Sequence, residues 1–234
     1  MISFLALAGV AHTLGPVVKK DTVLAQIRTE KIIGLLAADT ASQLINSARA
    51  LSAGGLNSVE IAMTTPAVIG ALQQAAAALP DFRFGLGTVL DPETARNAIL
   101  AGASFIVTPA LRPDVITLCR RYNVAVFSGA FTPADIGAAH DAGADAAKVF
   151  PGEHFGPAYI KSLRASLPHV EMIPIGGVTP DTISEFLRVG AFAAMAGSSL
   201  LDPQAIREAR WSLITERAEA FVAATRALNP IISS

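Results

Sequence analysis

The sequence contains one cysteine, Cys119, and only four histidines among its 234 residues. A single cysteine excludes an intramolecular disulfide framework, fits a reducing cytoplasm, and leaves no spacing typical of a zinc site. Charged residues make up only 16% of the chain and the net charge is -1, so no overall field attracts nucleic acid or an anionic membrane. No apolar run is long enough to span a bilayer. We therefore expect a small-molecule ligand, with no metal, cofactor, nucleic-acid or membrane partner.

Hydrophobic residues, by contrast, make up 52% of the chain, which fits one compact domain with a large core. The first residues are apolar as well, and residues 2–11 weakly resemble the hydrophobic part of a secretory signal. They lack the basic residues that normally precede such a segment. We interpret residues 1–30 as an N-terminal extension that includes a helix, followed by a single domain over residues 31–234.

From about residue 31, short β-branched runs alternate with longer Ala-rich amphipathic runs, which is typical of repeated βα units around a parallel sheet. Helices are predicted to start near Thr40, Pro66, Pro92, Pro113, Pro133, Pro157 and Pro180, because proline favours the first helical turn. A last helix is expected over residues 205–228. Eight strands in this length predict a closed (β/α)8 TIM barrel. The predicted strands are Ile32–Leu36, Ser58–Thr64, Phe82–Thr88, Phe105–Thr108, Val124–Ser128, Ala146–Phe150, Glu171–Ile175 and Phe192–Ala196.

Lys148 is the most informative single residue, because it is the only cation in the apolar sixth strand. Making a lysine neutral at pH 7, from a reference pKa of about 10.4, costs roughly 4 to 5 kcal/mol, so a buried amine implies a use such as attack on a carbonyl. Strand alternation places Lys148 and Glu60 inside the barrel. Two structural alternatives stay open: the ammonium reaches solvent along its aliphatic stem, or the two residues form an ion pair without catalytic use.

Two glycine turns follow the last two strands, in Ile175-Gly-Gly-Val-Thr-Pro180 and Ala196-Gly-Ser-Ser199. Glycine amides and a helix N-terminus can hold an anion, and TIM barrels often bind phosphate after strands seven and eight. Either turn alone is weak evidence, but the pair favours a phosphate site.

These residues and several ordered motifs resemble the family of 2-keto-3-deoxy-6-phosphogluconate (KDPG) and 4-hydroxy-2-oxoglutarate (KHG) aldolases, with their phosphogalactonate (KDPGal) relatives. The resemblance covers about residues 30–202. Its motifs are Val59-Glu-Ile61, Gly85-Leu-Gly-Thr-Val-Leu-Asp-Pro92, Ile106-Val-Thr-Pro109, Ala147-Lys-Val-Phe-Pro-Gly152, Phe155-Gly-Pro157, Tyr159-Ile-Lys161 and Ile175-Gly-Gly-Val-Thr-Pro180.

The resemblance implies a metal-free class I aldolase that cleaves a 2-keto-3-deoxy sugar acid, with a 6-phosphate expected, to pyruvate and an aldehyde. It implies Lys148 as the Schiff-base nucleophile and Glu60 as the general acid and base, and it suggests a cytoplasmic homotrimer. It further implies substrate contacts from Thr88 and Pro109 at the pyruvate end, Phe150 beside the imine, and Gly176, Gly177, Gly197 and Ser198 around the phosphate.

The sequence departs from the family where an arginine usually meets the substrate carboxylate, since Ala37 and Thr64 occupy those positions. Ile175 likewise replaces a threonine on the phosphate side. Arg112 is one candidate substitute, but its place in a loop favours the simpler interpretation of a solvated arginine without a ligand. Alternatively, the substrate lacks that carboxylate and Thr64, Thr88 and backbone amides hold its carbonyl end. A third interpretation is that the barrel binds a phosphorylated ligand with little or no turnover.

Two other functions therefore remain beside the lyase. One is a catalytically silent phosphosugar-binding barrel of the same family. The other is a sugar-phosphate isomerase or epimerase, which would need a pair of acid and base residues at the strand ends, where the sequence offers only Glu60.

Overall fold

The computed structural model describes residues 18–227, in which eight parallel strands alternate with helices. The strands form one sheet in the order β7-β6-β5-β4-β3-β2-β1-β8. Its two ends meet, because Ile175 bridges Met195 and the Phe192 amide donates to the Met172 carbonyl at 2.9 Å. The predicted (β/α)8 barrel is therefore confirmed. The strands are β1 (Ile32–Leu36), β2 (Ser58–Ile61), β3 (Arg83–Leu86), β4 (Phe105–Thr108), β5 (Ala125–Ala130), β6 (Ala146–Val149), β7 (Met172–Pro174) and β8 (Ala194–Ala196).

The strands β2 and β3 end earlier than predicted, and the reason is local. Ala62 starts a turn in which its carbonyl accepts the Thr65 amide at 3.0 Å, so β2 stops at Ile61 rather than Thr64. Thr88 has a φ of 60°, which is incompatible with an extended strand, so β3 stops at Leu86. Both shortened ends leave the following residues on loops at the carboxyl end of the barrel.

The helices begin at capping residues close to the predicted starts. Asp91, Thr132 and Thr179 each accept a backbone amide of the first helical turn through their side chains. The helices are α1 (Lys20–Glu30), α2 (Ala41–Ala53), α3 (Val68–Ala78), α4 (Pro92–Leu100), α5 (Pro113–Tyr122), α6 (Pro133–Asp141), α7 (Gly156–Ser166), α8 (Pro180–Arg188), α9 (Pro203–Arg207) and α10 (Trp211–Arg226).

The expected single helix over residues 205–228 is wrong, because α9 and α10 are separate. Ala209 between them adopts a left-handed φ of 54°. The Arg210 amide then donates back to the Ala205 carbonyl at 2.8 Å, which closes the end of α9. The chain therefore turns before α10, and α10 packs on α2 and α8.

The core has two layers, one between the sheet and the helices and one inside the barrel. Helix α1 contributes Val23 and Ile27 to the inner layer, and both side chains are fully buried. Residues 1–17, which include the signal-like segment, lie outside the described residues, and the division into an extension and a domain stays a prediction. The inner layer comprises Val23, Ile27, Ile33, Phe105, Val107, Ala125, Phe127, Ala146, Ile173, Ile175, Phe192, Ala193 and Met195.

Candidate active site

Lys148 and Glu60 meet inside the barrel although 88 residues separate them in sequence. The Lys148 Nζ lies 3.1 Å from Glu60 Oε1 and 3.0 Å from Oε2. Only 13% of the Lys148 side chain and 2% of the Glu60 side chain are exposed to solvent. The amine therefore lies neither in bulk water nor across the barrel wall from the acid. This distance permits direct proton transfer between the two groups.

Burial controls the electrostatics of Glu60. Loss of water raises the pKa of its carboxyl above the usual range, and the adjacent Lys148 amine opposes part of that rise through charge attraction and a hydrogen bond. A carboxyl with a raised pKa holds a proton more readily near neutral pH and can also give it up. Glu60 is thus suited to act in turn as an acid and as a base.

Two glycines that the sequence analysis missed leave room for close contacts at the site. A Cβ on Gly87 would collide with Glu60 Oε1, and a Cβ on Gly129 would collide with the Pro109 carbonyl. Gly129 is also the strand partner of Lys148. The available signal was glycine in or directly after a predicted strand, since Gly87 lies within the third predicted strand and Gly129 directly follows the fifth; such a glycine indicates a close approach of another group to the backbone. Both positions therefore need a residue without a side chain.

The predicted substrate contacts Thr88, Pro109 and Phe150 lie at the carboxyl ends of β3, β4 and β6. All three are exposed, and 57% of Phe150 is accessible to solvent. Thr88 is a β-branched residue in a left-handed conformation, which is a costly backbone geometry often found at functional sites. It directly follows Gly87, so this strained turn lies next to Glu60.

Ala37 and Thr64, which replace the arginines usual in the family, lie on adjacent loops of the same mouth. The Ala38 amide donates to Thr65 Oγ1 at 3.4 Å, which joins the loops after β1 and β2. Arg112, the candidate substitute, donates from Nη2 to Asp114 Oδ2 at 2.9 Å and from Nε to Oδ1 at 3.3 Å. Its guanidinium is thus bound to a carboxylate of the helix that it precedes, and it would have to leave Asp114 to reach a ligand.

The two glycine turns are neighbours, because Ser199 Oγ donates to the Val178 carbonyl at 2.6 Å. Gly176 and Gly177 both have positive φ values, 104° and 64°. A Cβ on Gly197 would have only Leu35 within contact, at 4.0 Å, so this turn faces open space. Within residues 18–227, the amides of Gly177 and Ser198 donate to no protein acceptor. A free amide such as that of Ser198, beside the open space at Gly197, can bind an anion.

Comparison with known proteins decides the family. A family model described as KDPG and KHG aldolase matches residues 23–217. The chain belongs to the KDPG and KHG aldolase family. It is 31% identical to a 2-dehydro-3-deoxy-phosphogluconate aldolase of Haemophilus influenzae, over 82% of this chain and 91% of that protein. It is 33% identical to the 2-dehydro-3-deoxy-6-phosphogalactonate aldolase of Escherichia coli, over 72% of this chain and 83% of that protein.

A solved KDPG aldolase from Legionella pneumophila, with pyruvate captured as a covalent carbinolamine, has a TM-score of 0.79 and 26% identity. The match covers 85% of this chain and 97% of that one. Family membership confirms the predicted resemblance, and it places the protein among the carbon–carbon lyases.

Over residues 18–227, no three His, Cys, Asp or Glu side chains form a group that could hold a metal ion. No helix in that range has the length and apolar character needed to cross a membrane.

Proposed function

We propose that this protein is a metal-independent class I aldolase that cleaves a 2-keto-3-deoxy sugar acid to pyruvate and an aldehyde. The single observation that carries the proposal is the contact of the Lys148 Nζ with both Glu60 oxygens inside the barrel mouth. The two residues supply a nucleophile and a proton carrier at hydrogen-bond distance, which is what Schiff-base chemistry requires.

In the proposed reaction, Lys148 passes a proton to Glu60, the freed amine attacks the C2 carbonyl of the substrate, and Glu60 delivers the proton to the carbonyl oxygen. A second proton transfer expels water and leaves a protonated imine. Glu60 then takes the proton of the C4 hydroxyl while the C3–C4 bond breaks, and the bonding electrons move onto the imine nitrogen as an enamine. Protonation of C3 and addition of water release pyruvate and restore the amine.

The two ends of the substrate are assigned to different parts of the mouth. We place the carbonyl end near Thr88, Pro109 and Thr64, with Phe150 beside the imine. We place a distal phosphate at the paired glycine turns, through Gly176, Gly177, Gly197 and Ser198. The neighbouring turns and the open space at Gly197 support this placement. We further propose a cytoplasmic homotrimer, which the family resemblance supports.

Borohydride trapping with pyruvate tests the mechanism. We expect mass spectrometry to find one reduced pyruvate adduct on Lys148 in the wild-type protein and none in Lys148→Ala. Lys161→Ala is the matched control, because Lys161 is an exposed lysine on α7 and should leave trapping intact. Absence of an adduct in the wild-type protein would refute the proposed mechanism. A silent binding barrel or an isomerase would give that result.

A further inference from the structure

A carboxylate of the chain itself, Glu153, lies against the glycine turn assigned to the distal end of the substrate. A Cβ on Gly176 would collide with Glu153 Oε2, and a Cβ on Gly177 would lie 3.0 Å from the Glu153 Cβ. The Glu153 side chain therefore fills the space directly over both glycines. It reaches this position from the loop between β6 and α7.

The backbone holds that loop on the turn. The Gly152 amide donates to the Ile175 carbonyl at 2.6 Å, and the Gly156 amide donates to the Gly152 carbonyl at 2.9 Å. A Cβ on Gly152 would lie only 2.8 Å from the Ile175 carbonyl oxygen, so the close approach of the two segments depends on glycine. These contacts hold the backbone of the loop beside the turn, and the exposed Glu153 side chain extends from it over the two glycines.

Within residues 18–227, Glu153 makes neither a salt bridge nor a side-chain hydrogen bond, so no cation contacts this carboxylate. Arg217, the cation that contacts the second turn, donates to the Ser198 carbonyl at 3.0 Å and to Asp202 at 3.3 Å. Its charge is therefore already matched by Asp202. An anion that approaches Gly176 therefore meets a carboxylate that has no cation in contact with it.

We propose that Glu153 competes with an anionic distal group for the Gly176–Gly177 turn and thereby lowers the preference of the enzyme for phosphorylated over unphosphorylated sugar acids. This inference rests on the proposed function, because it assigns the distal end of the same site. A dianionic phosphate can occupy the turn only if the carboxylate moves aside. A hydroxyl group, in contrast, can donate a hydrogen bond to Glu153 where it stands.

The first test compares kcat/KM for 2-keto-3-deoxygluconate with and without its 6-phosphate. Glu153→Gln keeps the size of the side chain and removes its charge. We expect the kcat/KM of the phosphorylated substrate, divided by that of the unphosphorylated one, to rise roughly tenfold. This is the size of effect that removal of one negative charge in contact with a dianion should have in a solvated site. Glu185→Gln removes the same charge from the exposed face of α8 and should leave the ratio unchanged. An unchanged or lower ratio in Glu153→Gln would overturn the proposal.

A second test needs no turnover and therefore separates this inference from the aldolase mechanism. Inorganic phosphate is titrated calorimetrically into the wild-type protein and Glu153→Gln. We expect phosphate to bind Glu153→Gln about tenfold more tightly at low ionic strength, with a smaller gain at high salt because salt screens the repulsion. Equal affinities, or no binding to either protein, would refute the competition. Tighter binding together with failed pyruvate trapping would refute the aldolase mechanism alone.

Discussion

Replacement of Gly87 by alanine should separate Lys148 from Glu60 although neither of these two residues is substituted. Gly87 does not use a left-handed φ, so its backbone accepts alanine. The new Cβ would lie 2.5 Å from the Glu60 Cδ and 2.7 Å from its Cγ, whereas carbon atoms pack at about 3.5 to 4.0 Å. Glu60 must therefore move by roughly 1 Å, which takes its oxygens beyond the range of about 2.6 to 3.2 Å needed for direct proton transfer.

A displacement of this size in a catalytic group costs about 100-fold in rate, so we expect kcat/KM for aldol cleavage to fall by about that factor. Overpacking should also lower the free energy of unfolding in urea by about 1 to 3 kcal/mol. Gly70→Ala is the control, because a Cβ there meets nothing within 4 Å in the first turn of α3 and should leave kcat/KM unchanged without lowering stability. Wild-type kcat/KM in Gly87→Ala would show that the reasoning about Glu60 is wrong.

Two further predictions concern titration. Burial raises the pKa of the Glu60 carboxyl above its unfolded value of about 4.3. The stabilisation that the protonated carboxyl gives the folded state is therefore full below about pH 4.3 and is lost as the pH rises through the raised pKa. Urea unfolding of Glu60→Gln should therefore show a smaller loss of stability over this range than the wild-type protein, and parallel curves would contradict the cause assigned. Burial also raises the pKa of the Cys119 thiol to about 12, so a thiol reagent at pH 8 should label the protein only after denaturation; rapid labelling of the native protein would contradict this.

The strand prediction succeeded because apolar β-branched runs bounded by glycine and proline are a local signal of buried parallel strands. It failed at Thr64 and Thr88, where turn geometry overrides the alternating pattern, and at Ala209, where a left-handed residue divides the last helix. Such turns depend on which backbone groups find partners, and the Ala62 carbonyl and the Ala205 carbonyl find theirs only in the folded chain.

Part of the candidate site could also be predicted from local sequence signals. A lysine in an apolar strand and a glutamate on an alternating face are visible in sequence, because burial of either charge needs a physical reason. The sequence did not reveal which backbone positions must lack a side chain to leave room for the site. Gly87 leaves room for the Glu60 carboxylate and Gly129 for the Pro109 carbonyl, and both contacts cross between strands.

The amino-acid sequence by itself determined the repeated βα pattern, the buried positions of Lys148 and Glu60, and the family motifs, because these depend on short-range periodicity and residue type. Only the tertiary structure decided that the Lys148 Nζ lies 3.0 Å from a Glu60 oxygen, and that Glu153 covers the Gly176 turn. Barrel closure brings residues from distant strands and loops together. Distances within a site follow from the register and packing of all eight strands, which no local stretch of sequence encodes.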